Sequence, residues 1–327
     1  MVLTTGLYHH KLWRRFSYHL ARNGTAQTEA AIELLGAVDL GGTYLRSALV
    51  DDRGQLTRRS RVLVRPHEET TQLADAVRTL VAGREAARVI IGMPGRVDRR
   101  AGRLEQARNL PASWIAGLNA RVLSEQAGCE VVLAGDAELA AIGEAYFGAG
   151  TRAGDTAYLT LSTGLGAAAT SGGRLLTGHR VGLQIGFVRP DGPGHPILDT
   201  LASGQQLAAL ARERGRDELT VQQLLELADA GDAGAREVWD RILRYAAWAA
   251  LVLCHACNPD VLVIGGGLAT AGDRLLGPVT EAVQAELAAG SGAVVEVRRS
   301  LLGDDAGLAG AGAFGAATDG LPGLAPA

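Results

Sequence analysis

The chain has 327 residues, 47% of them hydrophobic but only 4% aromatic, which allows two domains and a sizeable core made mostly of Ala, Val, Leu and Ile. Its net charge of −3 offers nothing to nucleic acid or an anionic membrane, and no uncharged apolar run is long enough to span a bilayer. Three cysteines make no disulfide framework and no secretory signal stands at the start, so a reducing cytoplasm is the expected setting.

Residues 1–35 read as a poorly ordered extension, with a short helix possible on pattern around Leu12–Ala21. They contain Lys11, the only lysine of the chain. P-loop enzymes and protein kinases place a lysine on nucleotide phosphates; Lys11 lies in no such motif, which excludes both classes. The regular pattern begins at Gly36. Ala37–Asp51, AVDLGGTYLRSALVD, predicts strand, tight turn, strand, with Asp39, Gly41, Gly42 and Thr43 at the turn. Such a turn suits phosphate oxygens, and a carboxylate beside it suits Mg²⁺; the alternative is an ordinary hairpin turn. Arg46 either neutralises phosphate or sits on the surface of its strand, and the pattern favours the surface.

Next come a third strand at Ser60–Val64, an amphipathic helix at about Thr70–Ala82, and a buried strand at Arg88–Gly92 that ends in a turn, Met93–Asp98. Asn109-Leu110-Pro111 opens a loop before Trp114, and a helix follows to about Gln126. Glu130–Ala134 is a strand ending at Gly135-Asp136-Ala137, from which a helix runs through Glu144. Strands alternating with helices imply a mostly parallel sheet with covered faces. The pattern then repeats: strand Thr156–Leu161, glycine turn Ser162–Gly166, strand Ala167–Thr170 and a Gly172-Gly173 hairpin, as in a fold of two related halves. Helices near 199–213, 220–230 and 234–257 precede the strand Asp260–Ile264, which enters Gly265-Gly266-Gly267. A helix at about 272–288, a last strand at Val294–Val297 and an Ala-Gly-rich helix complete the chain before a Gly/Pro tail.

Seven blocks, VDLGGTYLRSALV, GMPGRVD, NLPASW, GDAELAAIGEAYFGAG, LTLSTGLGAA, LASG and NPDVLVIGGGLA, occur in order from about residue 36 to 316. In these the chain resembles the ROK family of sugar kinases and sugar-responsive repressors. The resemblance implies a two-lobed α/β protein of the actin/hexokinase-like (ribonuclease H-like) fold, binding ATP and a sugar in the cleft between lobes. It implies a small lobe of residues 36–134 plus about 306–320, a large lobe of 135–305, and a homodimer. Asp39, Gly41, Gly42 and Thr43 match the first phosphate loop, with Asp39 toward Mg²⁺. Thr163 and Gly164 match the second loop, and Gly265, Gly266 and Gly267 lie beside the adenosine. Asp136 matches the residue that takes the proton from the sugar hydroxyl; read alone, an Asp at a helix start is also an N-cap. Gly95, Asn109, Gly135, Gln184, Phe187 and Asp199 match positions that line the sugar.

Several of these positions depart from the family's residues. The usual N-D-A reads Gly135-Asp136-Ala137, G-E-x-G-H reads Leu183-Gln184-Ile185-Gly186-Phe187, and a glutamate is replaced by Asp199 ahead of Ser203-Gly204. The family's cysteine-rich zinc motif is absent; Cys254 and Cys257 around His255 read as helical core, so no zinc is expected. The phosphate machinery is whole and the sugar-reading shell is rebuilt, with Phe187 either stacking on a sugar or plugging the vacated site. The expected activity is ATP- and Mg²⁺-dependent phosphorylation of the 6-hydroxyl of a hexose or amino-hexose of the glucose or kanosamine type. The alternatives are a non-catalytic nucleotide binder and a sugar-sensing regulator. Acidity and the lack of a DNA-binding module weigh against the regulator.

Overall fold

The computed structural model describes residues 34–65, 69–82, 86–108, 110, 115, 118–178 and 182–319. The segment around Leu12–Ala21, Asn109, Trp114 and the tail lie outside them. The first five-stranded sheet comprises β1 (Leu34–Leu40), β2 (Tyr44–Val50), β3 (Leu56–Leu63), β4 (Ala86–Met93) and β7 (Glu130–Gly135), ordered β3-β2-β1-β4-β7. The second comprises β8 (Asp155–Leu161), β9 (Leu165–Ser171), β10 (Arg174–Leu175), β11 (Val261–Gly265) and β12 (Glu296–Arg299), ordered β10-β9-β8-β11-β12. Each sheet begins with an antiparallel hairpin, β1–β2 or β8–β9, and continues on the other side as parallel strands. The two halves expected from the repeated strand–turn–strand pattern therefore share one topology.

Both faces of each sheet are covered, and the period-2 alternation of strand side chains assigns each residue to a layer. Val38, Leu40 and Ile91 pack outward with α1 (Glu69–Val81) and α2 (Ala120–Ala127), whereas Ala37, Ile90 and Ala134 point inward. In the second sheet Leu159, Leu262 and Ile264 face outward. There they meet α4 (Leu198–Leu201), α5 (Gln205–Glu213), α6 (Val221–Asp229), α7 (Ala233–Cys257) and α8 (Asp273–Ala289). Tyr158, Val261 and Val263 face inward. The inner layer holds two helices, α3 (Asp136–Phe147) and α9 (Ala306–Thr318), both buried along most of their length. A helix buried all round needs small, apolar residues on every side, which their Ala- and Gly-rich sequences supply.

The two inner helices touch through backbone. A Cβ at Gly143 of α3 would stand 2.2 Å from the Ala306 carbonyl oxygen, and one at Gly310 of α9 would stand 1.9 Å from that of Leu139. Only glycine permits that approach. At the far end of α3, Glu144 is fully buried and accepts four hydrogen bonds. Its Oε1 takes the Ser300 hydroxyl at 2.5 Å and the Leu302 N–H at 3.0 Å; Oε2 takes the N–H groups of Ala149 at 2.7 Å and Leu301 at 3.2 Å. The carboxylate thus ties α3 to the segment leading into α9. Glu144→Ala should destabilise the protein by about 3 kcal/mol, because four part-buried donors lose one charged acceptor at once. An unchanged urea midpoint would contradict this.

Two expectations change. Met93–Asp98 is more than a turn: β5 (Arg96–Asp98) pairs antiparallel with β6 (Arg103–Gln106), a hairpin the pattern did not signal. The last strand falls later than Val294–Val297, because pairing with β11 sets Val261 opposite Glu296 and leaves Val294 92% exposed.

Candidate active site

Ligands of open α/β sheets collect at the carboxyl ends of the strands. Here β1 delivers Asp39, β4 leads to Pro94 and Gly95, β7 delivers Gly135 and Asp136, and β8 leads to Thr163 and Gly164. All of these line one cleft, together with Gly41, Gly42, Gln184, Phe187, Asp199 and Gly266. The cleft thus brings together most of the residues singled out in the sequence. Thr43, Gly265 and Gly267 are not among the lining residues. Gly265 instead packs under Tyr158, whose hydroxyl would be 2.4 Å from a Cβ there. Gly266 has φ +87 and lies against the backbone of Leu161, a position that needs glycine.

The first glycine turn is partly committed within the protein, since the Gly41 N–H donates to the Tyr44 carbonyl at 2.9 Å. Gly42 and Thr43 are exposed at its tip. Asp39 is paired: Arg46 Nη1 lies 3.1 Å from its Oδ2, and Nη2 lies 2.8 Å from Oδ2 of Asp304. Arg46 is therefore a cleft residue and not the surface strand residue its pattern favoured. The hairpin register explains this, because Asp39 sits directly opposite Arg46 and the two side chains share a face. Burial pushes the Asp39 carboxyl above its ordinary value, against the opposing pull of Arg46.

Asp136 begins α3 and accepts a hydrogen bond from the Ala137 N–H at 2.7 Å. Among the described residues no cation pairs with its carboxylate. Burial first, then the negative charges of Asp39 and Glu138, push it up to about 7. A carboxylate poised near neutrality at the floor of a cleft suits a general base.

On the opposite wall, Asp199 Oδ1 accepts the Leu165 N–H at 2.7 Å and Oδ2 accepts from Gln205 Nε2 at 3.0 Å, with Arg108 Nε 3.7 Å away. It thereby braces the second glycine turn as well as facing the cleft. Gln184 Nε2 donates to its neighbour's carbonyl, Leu183 O, at 3.2 Å, and Phe187 is 39% exposed on the turn Ile185–Phe187. Gly95 holds φ +94, and a Cβ there would strike the Gln106 carbonyl at 2.2 Å, so it seats the β5–β6 hairpin on the cleft wall. Sequence reasoning missed Glu138, Arg99, Arg108 and Asp304. The signal for Glu138 was an acid at the third position of a helix whose first turn lines the cleft. For Arg99 and Asp304 the partners are distant in sequence and only the fold unites them.

Two sheets of one topology, two buried helices between them and a cleft at the strand ends define an α/β protein of the actin/hexokinase type. The chain belongs to the ROK family, whose family model matches residues 35–317. It is 31% identical to a glucokinase of Thermotoga maritima over 306 residues, covering 86% of this chain and 96% of that one. Among solved structures it is similar to a ROK family glucokinase from Streptomyces griseus in complex with glucose and AMPPNP, with TM-score 0.71 and 28% identity. That match covers 86% of this chain and 98% of the other. A ROK hexokinase from Thermus thermophilus matches with TM-score 0.71 and 30% identity, covering 85% and 96%.

Proposed function

We propose that the protein is an ATP- and Mg²⁺-dependent kinase that transfers the γ-phosphate to the 6-hydroxyl of a hexose or amino-hexose. The observation that carries this reading is Asp136: a cleft carboxylate with no cationic partner among the described residues, raised to about 7, at the carboxyl end of β7. Glucose and an ATP analogue in the Streptomyces griseus relative support the choice of substrates.

In this reading Asp136 accepts the proton of the sugar hydroxyl as that oxygen bonds to the γ-phosphorus. The bond from phosphorus to the β,γ-bridging oxygen breaks, and ADP leaves with the electron pair. The N–H groups around Gly42 and Thr43, and those of Thr163 and Gly164, cradle phosphate oxygens. Mg²⁺, when bound, neutralises charge on the transferring phosphates. Asp39 would hold it, a fit for a cation that takes one or two protein carboxylates plus phosphates. Residues 36–134 with 306–320 would act as the small lobe and 135–305 as the large one, closing to exclude water.

The test is ADP release with Mg·ATP across glucose, glucosamine, kanosamine, mannose, fructose and N-acetylmannosamine. Turnover on at least one sugar, reduced about a hundredfold or more in Asp136→Asn with nucleotide binding retained, is the expected result. A second reading, a non-catalytic nucleotide binder, draws on Asp199 and Gln184 already being hydrogen-bonded within the protein. ATP binding with no turnover on any sugar would favour it.

A further inference from the structure

The cleft holds a second carboxylate beside Asp136. Glu138 lies on the first turn of α3, is 7% exposed, and lines the cleft with Gly135, Gly182 and Gln184. Its Oε2 accepts the Gly135 N–H at 3.0 Å, and its Oε1 accepts from Arg99 Nη1 at 2.5 Å. Arg99 is itself buried and also donates to the Thr177 hydroxyl.

Both close neighbours of this carboxylate are glycines, whose missing Cβ leaves it room. A Cβ at Gly135 would stand 3.2 Å from Glu138 Oε2, and one at Gly182 would stand 2.2 Å from Oε1. Helix capping explains the bond to Gly135 but neither the buried arginine nor the glycine at 182. A carboxylate offers about four acceptor positions, and this one takes two hydrogen bonds from the described residues.

Charge completes the picture. Asp39 shares Arg46 with Asp304, and Asp199 stands near Arg108. Among the described residues, Arg99 pairs with Glu138 and no cation pairs with Asp136. Counted over the described residues, this end of the cleft therefore carries one negative charge without a paired cation when both acids are ionised. A neutral hydroxyl leaves that charge unmet, whereas an ammonium group on the acceptor both donates hydrogen bonds and balances it.

The geometry points to Glu138 as a specificity-determining residue that selects a hexose bearing an ammonium group over its neutral counterparts. The inference rests on the cleft being the sugar-acceptor site, as proposed above. It deepens that reading by assigning the acceptor's chemical class.

The experiment is calorimetric binding of glucosamine, glucose and N-acetylglucosamine to the full chain at neutral pH, with and without Mg·ADP. Wild-type protein should bind glucosamine at least about tenfold more tightly than either neutral sugar. In Glu138→Gln, which keeps an acceptor oxygen but removes the charge, the preference should fall to within about threefold. A melting curve of the variant checks that it is folded, and the three-sugar comparison on the wild type stands without it. Equal or tighter binding of a neutral sugar, undetectable glucosamine binding, or a preference retained in folded Glu138→Gln would each overturn the inference. Preferential glucosamine binding with no ADP release on any sugar would remove the kinase reading and leave this one standing. Turnover with glucose at or above glucosamine would do the reverse.

Discussion

Asp136→Asn is expected to lower phosphoryl transfer by about 10²- to 10⁴-fold while leaving nucleotide affinity within a few-fold of wild type. The amide keeps the size of the side chain but cannot accept the proton. The pH dependence supplies an independent check. The carboxyl is pushed from its ordinary 3.8 to about 7, so wild-type kcat/KM should rise with pH through neutrality as the base ionises. The same shift has the opposite sign for stability. Between these two pH values the native state holds a proton that the unfolded chain has released, so stability falls as pH rises through that window. Asparagine carries no charge to desolvate. Above neutral pH the variant should therefore melt higher than wild type, by on the order of 1–3 kcal/mol once solvent in the cleft is allowed for. Unchanged turnover would remove Asp136 from catalysis; a lower melting point at pH 8 would contradict its uncompensated burial.

The second large effect lies at the crossing of the two inner helices. Gly310→Ala should destabilise the protein by about 3 kcal/mol or more and reduce activity with it. The new Cβ would stand 1.9 Å from the Leu139 carbonyl oxygen and 2.8 Å from the Gly143 nitrogen, both backbone atoms, so one helix must move. Leu139 lies within a turn of Asp136 on α3, and displacement of that helix shifts the proposed base. Gly315→Ala on the same helix is the control. It is exposed, a Cβ there meets nothing within 4 Å, and the gain in helix propensity should stabilise by about 0.5–1 kcal/mol. Equal denaturation midpoints for the two variants would show that the close approach does not constrain the fold.

What could be read from the chain alone was local or carried by pattern. VDLGGTYLRSALV announces strand, glycine turn, strand, because apolar alternation and glycine are properties of adjacent residues. EVVLAGDAELAA places Asp136 where a buried strand meets a helix, and the structure puts it on the cleft floor. Arg46 was within reach as well: pairing the hairpin one residue at a time sets it against Asp39.

Other features had no local signal. The β5–β6 hairpin is short, and its pairing depends on Gly95 seating against Gln106 and Ala107. Glu138 reads on its own as an ordinary helix-capping acid. It becomes a buried cleft carboxylate only when Arg99 and the stretch carrying Thr177 and Gly182 arrive from two other parts of the chain.

The sequence by itself determined most of the element types, the repeated half, the glycine turns and the carboxylate at the end of β7, since each depends on residues a few positions apart. Tertiary structure alone decided the charge balance of the cleft, the partners of Asp39 and Glu138 and the glycine contact between α3 and α9. Coulombic and steric terms act over a few ångströms in space whatever the separation in sequence, and only the closed fold sets those distances.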